Sequence, residues 1–282
     1  MENGAVMENY LTRKLDWQQE DVTSLYDELP LWSAPFGLLL LDNFPIGEYE
    51  NYLDIGFGTG FPLIDIAQRL GSNCNCYGID QWEAASKRAA SKIATANLEN
   101  IKLINGEASK IEFLDNYFDL ITSNLGINNF ENPLQVLMEC KRVLKPSGSL
   151  CFTSNLTGTF SLFYQIYGET FKELGFEKYD SKLNDHIKHR GTIESTHQLI
   201  EKAGLKLKNQ KVSEYKMRFL NGTAFLNHSF IIVGFIDSWR HMFEDADKAI
   251  FFNRFEEKLN EYAKKNGELT LTIPMIYIEC IK

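Results

Sequence analysis

Apolar and polar positions along the first half of this chain follow two periods that take turns. Short apolar runs at 52–55, 76–79, 101–104, 118–123 and 150–154 read as strands. Stretches at 63–70, 82–96 and 133–143 carry the three-to-four-residue spacing of helices, and Gly71 suits the end of the first. The helix at 82–96 is rich in Ala, Lys and Arg, which favour helix intrinsically. Strand and helix alternating at short spacing predict a parallel sheet wound with helices on both faces. Before it, 17–43 reads as helical, interrupted by Pro30 and Pro35. After it, 159–174 and 192–203 read as helices and 205–212 as a strand, while 215–241 resists assignment. A helix at 246–263 places Ile250, Phe252, Phe255, Leu259 and Tyr262 on one stripe. The run 269–281 is extended, and Pro274 inside it predicts a bulge or an unpaired position.

Composition narrows the function classes. The chain has 282 residues, 44% hydrophobic and 24% charged, enough to bury a core. Its formal charge of −9 disfavours phosphate-backbone binding, so no nucleic-acid partner is expected. No apolar run reaches the roughly 18 residues of a membrane span, and the first residues lack the pattern of a signal peptide. A soluble cytoplasmic protein is the expectation. Five cysteines make no disulfide framework, and the Cys74-x-Cys76 pair lacks the further ligands a metal needs.

The chemistry concentrates at strand ends. Asp54-Ile55-Gly56-Phe57-Gly58-Thr59-Gly60 links the first strand to a helix. Its glycines permit positive φ and let a ligand approach the backbone, and a helix start favours a carboxylate or phosphate. A dinucleotide fingerprint would put its third glycine at Phe61, so this glycine arrives one residue early. Asp80 ends the second strand, where a carboxylate can accept hydrogen bonds from ribose hydroxyls and repel a 2′-phosphate. Glu107 follows the third strand and Asn124 ends the fourth. Four successive strands therefore deliver polar groups to the carboxyl edge, where open α/β sheets bind ligands.

The stretch 52–153, with Gly106-Glu107-Ala108, Ile111-Glu112-Phe113, Tyr117 to Ile121 and Arg142-Val143-Leu144-Lys145-Pro146-Ser147-Gly148, resembles a class I S-adenosylmethionine-dependent methyltransferase. It is most similar to the small-molecule branch with the quinone- and sterol-type enzymes. The resemblance covers about a third of the chain. It implies an α/β, Rossmann-like seven-stranded sheet, mostly parallel, with an antiparallel last strand and a helical, aromatic cap. It also implies roles for site residues. Gly56, Gly58 and Gly60 would cradle the methionine end of S-adenosylmethionine, with Asp54 organising its amino group. Asp80 would hold the ribose, Gln81 would lie beside the adenine, and Glu107 and Ala108 would face its edge. Asn124 would sit beside the methionine moiety. The family more often has Asp where Glu107 stands, and Ser147 replaces a common glycine. One domain over 1–282 is expected: a helical lid at 1–45, a cofactor-binding core at 46–154, a cap with the sixth strand at 155–265 and a last strand at 266–282.

The reaction implied is in-line methyl transfer to a small, hydrophobic or aromatic acceptor. Tyr26, Trp32 and Tyr164 are the substrate-side candidates, and either packing or ligand contact suits Tyr26 and Trp32. The later half is dense in aromatics, from Phe160 to Phe243, which favours an apolar acceptor. It also holds every histidine. His228 is the candidate base should the acceptor need to lose a proton, while His186, His189 and Arg190 offer a setting for an acidic group. A non-catalytic S-adenosylmethionine-binding protein and an NAD-dependent oxidoreductase are the alternatives.

Overall fold

The computed structural model describes residues 10–28, 32–127, 129–188 and 190–282. Pro30 and His189, and the first residues read for a signal, lie outside them. Two helices, α1 (Glu20–Glu28) and α2 (Ser33–Leu41), precede the sheet. Pro35 falls in the first turn of α2, where its missing N–H leaves no helical bond unmade. The alternating half follows as β1 (Asn51–Ile55), α3 (Leu63–Leu70), β2 (Asn75–Asp80), α4 (Glu83–Thr95), β3 (Ile101–Asn105), β4 (Phe118–Asn124), α5 (Pro133–Val143) and β5 (Leu144–Asn155). Gly71 closes α3 with φ +82°, and the Asn132 side chain caps α5 by accepting from the Gln135 N–H at 3.1 Å.

The remainder runs α6 (Ser161–Leu174), α7 (Asp180–Lys188), α8 (Ile193–Lys202), β6 (Lys206–Phe219), α9 (Gly222–Leu226), α10 (Ser229–Gly234), α11 (Ile236–Arg240), α12 (Asp245–Asn266) and β7 (Leu269–Ile281). The stretch that resisted assignment thus holds the end of β6 and three helices of five or six residues, too short to show a period. On α12 the buried stripe is Phe251, Phe252, Phe255, Leu259 and Ala263, whereas Ile250, placed on the stripe from sequence, is 54% exposed.

The seven strands order as β3-β2-β1-β4-β5-β7-β6. β1 to β5 pair in parallel, and β7 pairs antiparallel with both β5 and β6. This is the expected sheet with its antiparallel last strand. Pro274 lies one residue beyond the last β5–β7 pair, Asn155 with Met275, so no β5 partner needs its missing N–H. The register shift lies instead on β6, between Leu207 and Asn209.

Side chains alternate across the sheet with period two. Tyr52, Cys76, Leu120, Cys151 and Tyr277 join one core with α2, α3, α6 and α12. Leu53, Tyr77, Ile121, Leu150 and Ile278 join the other with α5 and α8. Phe163, Tyr167, Phe171, Phe225, Trp239 and Phe255 are fully buried in the first core. Most of the aromatic excess is therefore packing, and inference about an acceptor must rest on the few rings that line a cavity. No described helix is long and apolar enough to cross a membrane.

Candidate active site

The parity that puts Tyr52 on the first face puts Asp54 there too, directly opposite Thr122 in the β1–β4 register. The Thr122 hydroxyl donates to Asp54 Oδ1 at 2.6 Å, and the Tyr52 hydroxyl lies 2.7 Å from Thr122 Oγ1. With the Thr122 proton committed to Asp54, Tyr52 is the donor in the second bond. Asp54 is fully buried, and its Oδ2 has no hydrogen-bond partner among the described residues. Burial pushes its carboxyl up to about 7; the Thr122 bond acts against this and the Asp80 charge adds to it. A buried carboxylate oxygen left unpaired is costly, and a cation beside it would relieve that cost.

The carboxyl ends of β1, β2, β3 and β4 open onto one cavity of about 920 Å³. It lies where the chain order reverses, between β1 and β4. Gly56 to Thr59 after β1, Asp80 to Trp82 after β2, Gly106 to Ser109 after β3 and Asn124 to Gly126 at the end of β4 all line it. Of the residues expected from sequence, Gly56, Gly58, Asp80, Gln81, Glu107, Ala108 and Asn124 line this cavity, whereas Asp54 and Gly60 do not.

In the glycine loop, Gly60 has φ +104°, and a Cβ there would come within 2.6 Å of Ile64 Cδ1. Only glycine lets the loop close onto α3. Gly58 has φ +54° with nothing within 4 Å of a Cβ position, so its flank is open space. Its N–H donates to Asp80 Oδ2 at 2.7 Å, and the Trp82 N–H donates to Oδ1 at 2.8 Å. Each Asp80 oxygen keeps one acceptor site, a pair of fixed acceptors suited to a vicinal diol. Gln81 and Glu107 are exposed at the cavity edge, Ser109 donates to Glu107 at 3.2 Å, and Ala108 is buried.

Asn124 lines the cavity with both ends of its amide engaged. Its Nδ2 donates to the Ser33 carbonyl at 3.1 Å, and its Oδ1 accepts from Thr153 at 2.7 Å. It therefore braces the end of β4 against the start of α2. Leu125, the next residue, holds φ +63°, a strained value for a branched side chain.

The N-terminal helices close one side. Tyr26, Trp17 and Trp82 meet edge to face with centroids 5.1–5.6 Å apart, and Trp82 Nε1 donates to the Trp17 carbonyl at 2.9 Å. All three line the cavity. Asp27 pairs with Arg88 at 2.8 Å and with Lys92, and Lys92 also donates to the Thr59 carbonyl at 2.8 Å. These cations outweigh the burial of Asp27 and hold its carboxyl below the usual range. Trp32 stacks on Phe230 at 5.0 Å and also meets Phe36, Phe160 and Phe235. Its ring packs and also forms part of the cavity wall.

Tyr164 is not in the cavity wall, but its hydroxyl contacts two residues that are, His186 at 2.9 Å and Arg190 at 3.4 Å. His228 does not line this cavity. Its ring packs edge-on against Phe219 at 5.5 Å, and burial lowers its pKa with no partner for Nδ1 among the described residues. The sequence signal, a polar triplet inside an apolar run, marks the N-cap of α10. Sequence reasoning did not single out Trp17 or Trp82; an aromatic just after the Asp80 strand end was the available signal for the latter. Cys74 and Cys76 are buried free thiols, and the described residues contain no group of three or more metal-binding side chains.

Residues 53–152 match the family model of the methyltransferase domain. A demethylmenaquinone methyltransferase from Staphylococcus aureus is 37% identical over 120 residues, 43% of this chain and 49% of that protein. The chain thus spans about half the length of the curated relatives it matches. An S-adenosylmethionine-dependent methyltransferase from Aquifex aeolicus superposes with a TM-score of 0.52 at 21% identity, covering 68% of this chain and 91% of that one. The (4+2)-cyclase SpnF superposes with a TM-score of 0.52 at 16% identity, covering 89% of this chain and 80% of its own.

Proposed function

We propose that this chain, whose residues 53–152 match a methyltransferase domain, transfers a methyl group from S-adenosylmethionine to a small, largely apolar acceptor. The observation that carries the reading is Asp80, with two fixed acceptor sites at the cavity edge, together with Asp54, which lies buried in β1 behind the lining with one oxygen unpaired among the described residues. S-adenosylmethionine has a ribose diol and an ammonium group that fit these two carboxylates, and it supplies an already activated sulfonium methyl. Gly58 presents open backbone to the ligand, and Trp82 with Tyr26 and Trp17 walls the nucleoside end. Trp32, Phe230 and Phe235 offer apolar surface to the acceptor. Catalysis then needs little beyond holding acceptor and methyl in line, which can supply much of the rate enhancement.

The test is incubation with methyl-labelled S-adenosylmethionine and a panel of apolar phenols, quinols and acids. Label in a product together with stoichiometric S-adenosylhomocysteine is the expected result. Tight cofactor binding without label in any product would favour a second reading, a cofactor-binding protein with other chemistry. A cyclase with the same fold makes that reading concrete.

The Asp27 clamp yields a further expectation. Lys92 joins Asp27 on α1 to the Thr59 carbonyl of the glycine loop, so loss of the carboxylate should loosen both. Asp27→Asn should lower stability by about 2 kcal/mol, less than a fully buried pair because Lys92 and Arg88 are partly exposed. It should also weaken cofactor affinity roughly fivefold, the factor about 1 kcal/mol gives. Denaturant unfolding and calorimetry on the same variant check the two effects separately.

A further inference from the structure

The cavity wall contains one feature that methyl transfer does not explain. Arg190 lines it, and among the described residues no carboxylate pairs with that guanidinium. Its guanidinium meets Tyr164, with a hydrogen bond to the hydroxyl at 3.4 Å and a position 5.6 Å from the ring centroid. Tyr164 is itself fixed, since Trp239 Nε1 donates to the same hydroxyl at 3.3 Å. Two donors, Arg190 and Trp239, fill both acceptor sites of the Tyr164 oxygen. The same hydroxyl lies 2.9 Å from His186 Nε2, and His186 also lines the cavity. Of the acidic lining residues, Asp80 ends β2 and Glu107 and Glu131 follow β3 and β4, whereas His186 and Arg190 come from α7 and the loop after it.

We propose that the acceptor is an amphipathic acid, whose carboxylate or similar acidic group seats on Arg190 beside His186 while its apolar body lies along Trp32, Phe230 and Phe235. A guanidinium offers a planar pair of donors that matches a carboxylate. Nη2 gives one hydrogen to the Tyr164 hydroxyl, and the other N–H groups of the guanidinium are left for such a pair. This inference rests on the methyltransferase reading, because it assigns the acceptor end of the same cavity.

The test uses the full chain saturated with S-adenosylhomocysteine. Benzoate, 2-naphthoate, 4-phenylbutyrate and dodecanoate are each titrated calorimetrically beside the matching primary amide. At least one acid should bind tenfold or more tightly than its amide. In Arg190→Gln that preference should fall to within twofold, with S-adenosylhomocysteine affinity within twofold of the parent. Tyr164→Phe keeps the ring but removes the hydroxyl, and should reduce the preference partially. Equal binding of every acid and its amide, or no binding of any acid, overturns the proposal, and that comparison needs no variant to fold. Preference retained in Arg190→Gln also overturns it. Failure of the folded protein to bind S-adenosylhomocysteine defeats the methyltransferase reading first, and is seen before any acid is added.

Discussion

Asp80→Ala is expected to weaken S-adenosylhomocysteine binding by at least 100-fold. The carboxylate does two things at once. It fixes the glycine loop and the start of α4 through the Gly58 and Trp82 N–H groups, at 2.7 and 2.8 Å. It also keeps one free acceptor site on each oxygen for a diol. Hydrogen bonds to a charged partner contribute about 1.5–3 kcal/mol each, so two of them exceed the roughly 2.7 kcal/mol that 100-fold requires. Alanine also leaves two backbone donors unpaired beneath the ligand. Asp80→Asn keeps the shape and loses the charge and one acceptor, and should fall between. Calorimetric titration measures all three proteins. Affinity in the alanine variant within fivefold of the parent would remove Asp80 from the ribose role.

Asp54→Asn should abolish most cofactor affinity while making the ligand-free protein more stable. Burial raises the Asp54 carboxyl to about 7, against an unfolded value near 3.9. A raised carboxyl favours the protonated form in the folded state. The stability linked to this group is therefore greatest at and below the unfolded value, is lost as pH rises toward 7, and changes little above that. Asparagine removes the loss, so at pH 8 the variant should melt several degrees higher, with the gap closing toward pH 4. The ligand ammonium acts in the opposite sense, because it stabilises the ionised form. The parent should bind S-adenosylhomocysteine roughly tenfold less tightly at pH 6 than at pH 7.5, as protons compete for Asp54. The variant should bind at least 100-fold more weakly and show no such slope. A parent affinity flat between pH 6 and 7.5 contradicts the assignment of the ammonium to Asp54.

The carboxyl edge of the sheet, with its cavity, was legible from sequence because its determinants are local. A strand, a glycine turn and a helix start occupy adjacent residues, and the repeat at Asp80, Glu107 and Asn124 follows from the alternation of the fold. The seven-stranded, mostly parallel sheet and the antiparallel β7 followed from the resemblance carried by the same stretch. What sequence did not reveal depends on distant segments meeting. Trp17 reaches Trp82 across 65 positions, and Tyr164 on α6 brings the neighbouring His186 and Arg190, noted together from sequence, to Trp239 on α11. The long separations leave no spacing to detect. Much of the aromatic density of the second half is core, as aromatic stripes usually are: Phe163, Tyr167 and Phe171 pack between α6 and α12. His228 attracted notice by its neighbours, and those neighbours reflect a helix start.

The central claim, that this cavity holds S-adenosylmethionine through Asp54 and Asp80, is tested most directly by calorimetric titration of the parent protein with S-adenosylhomocysteine and, separately, NAD. Saturable one-site binding of the sulfur ligand with no heat from NAD is the predicted result. Folded protein that leaves S-adenosylhomocysteine unbound, or that binds NAD in its place, contradicts the claim.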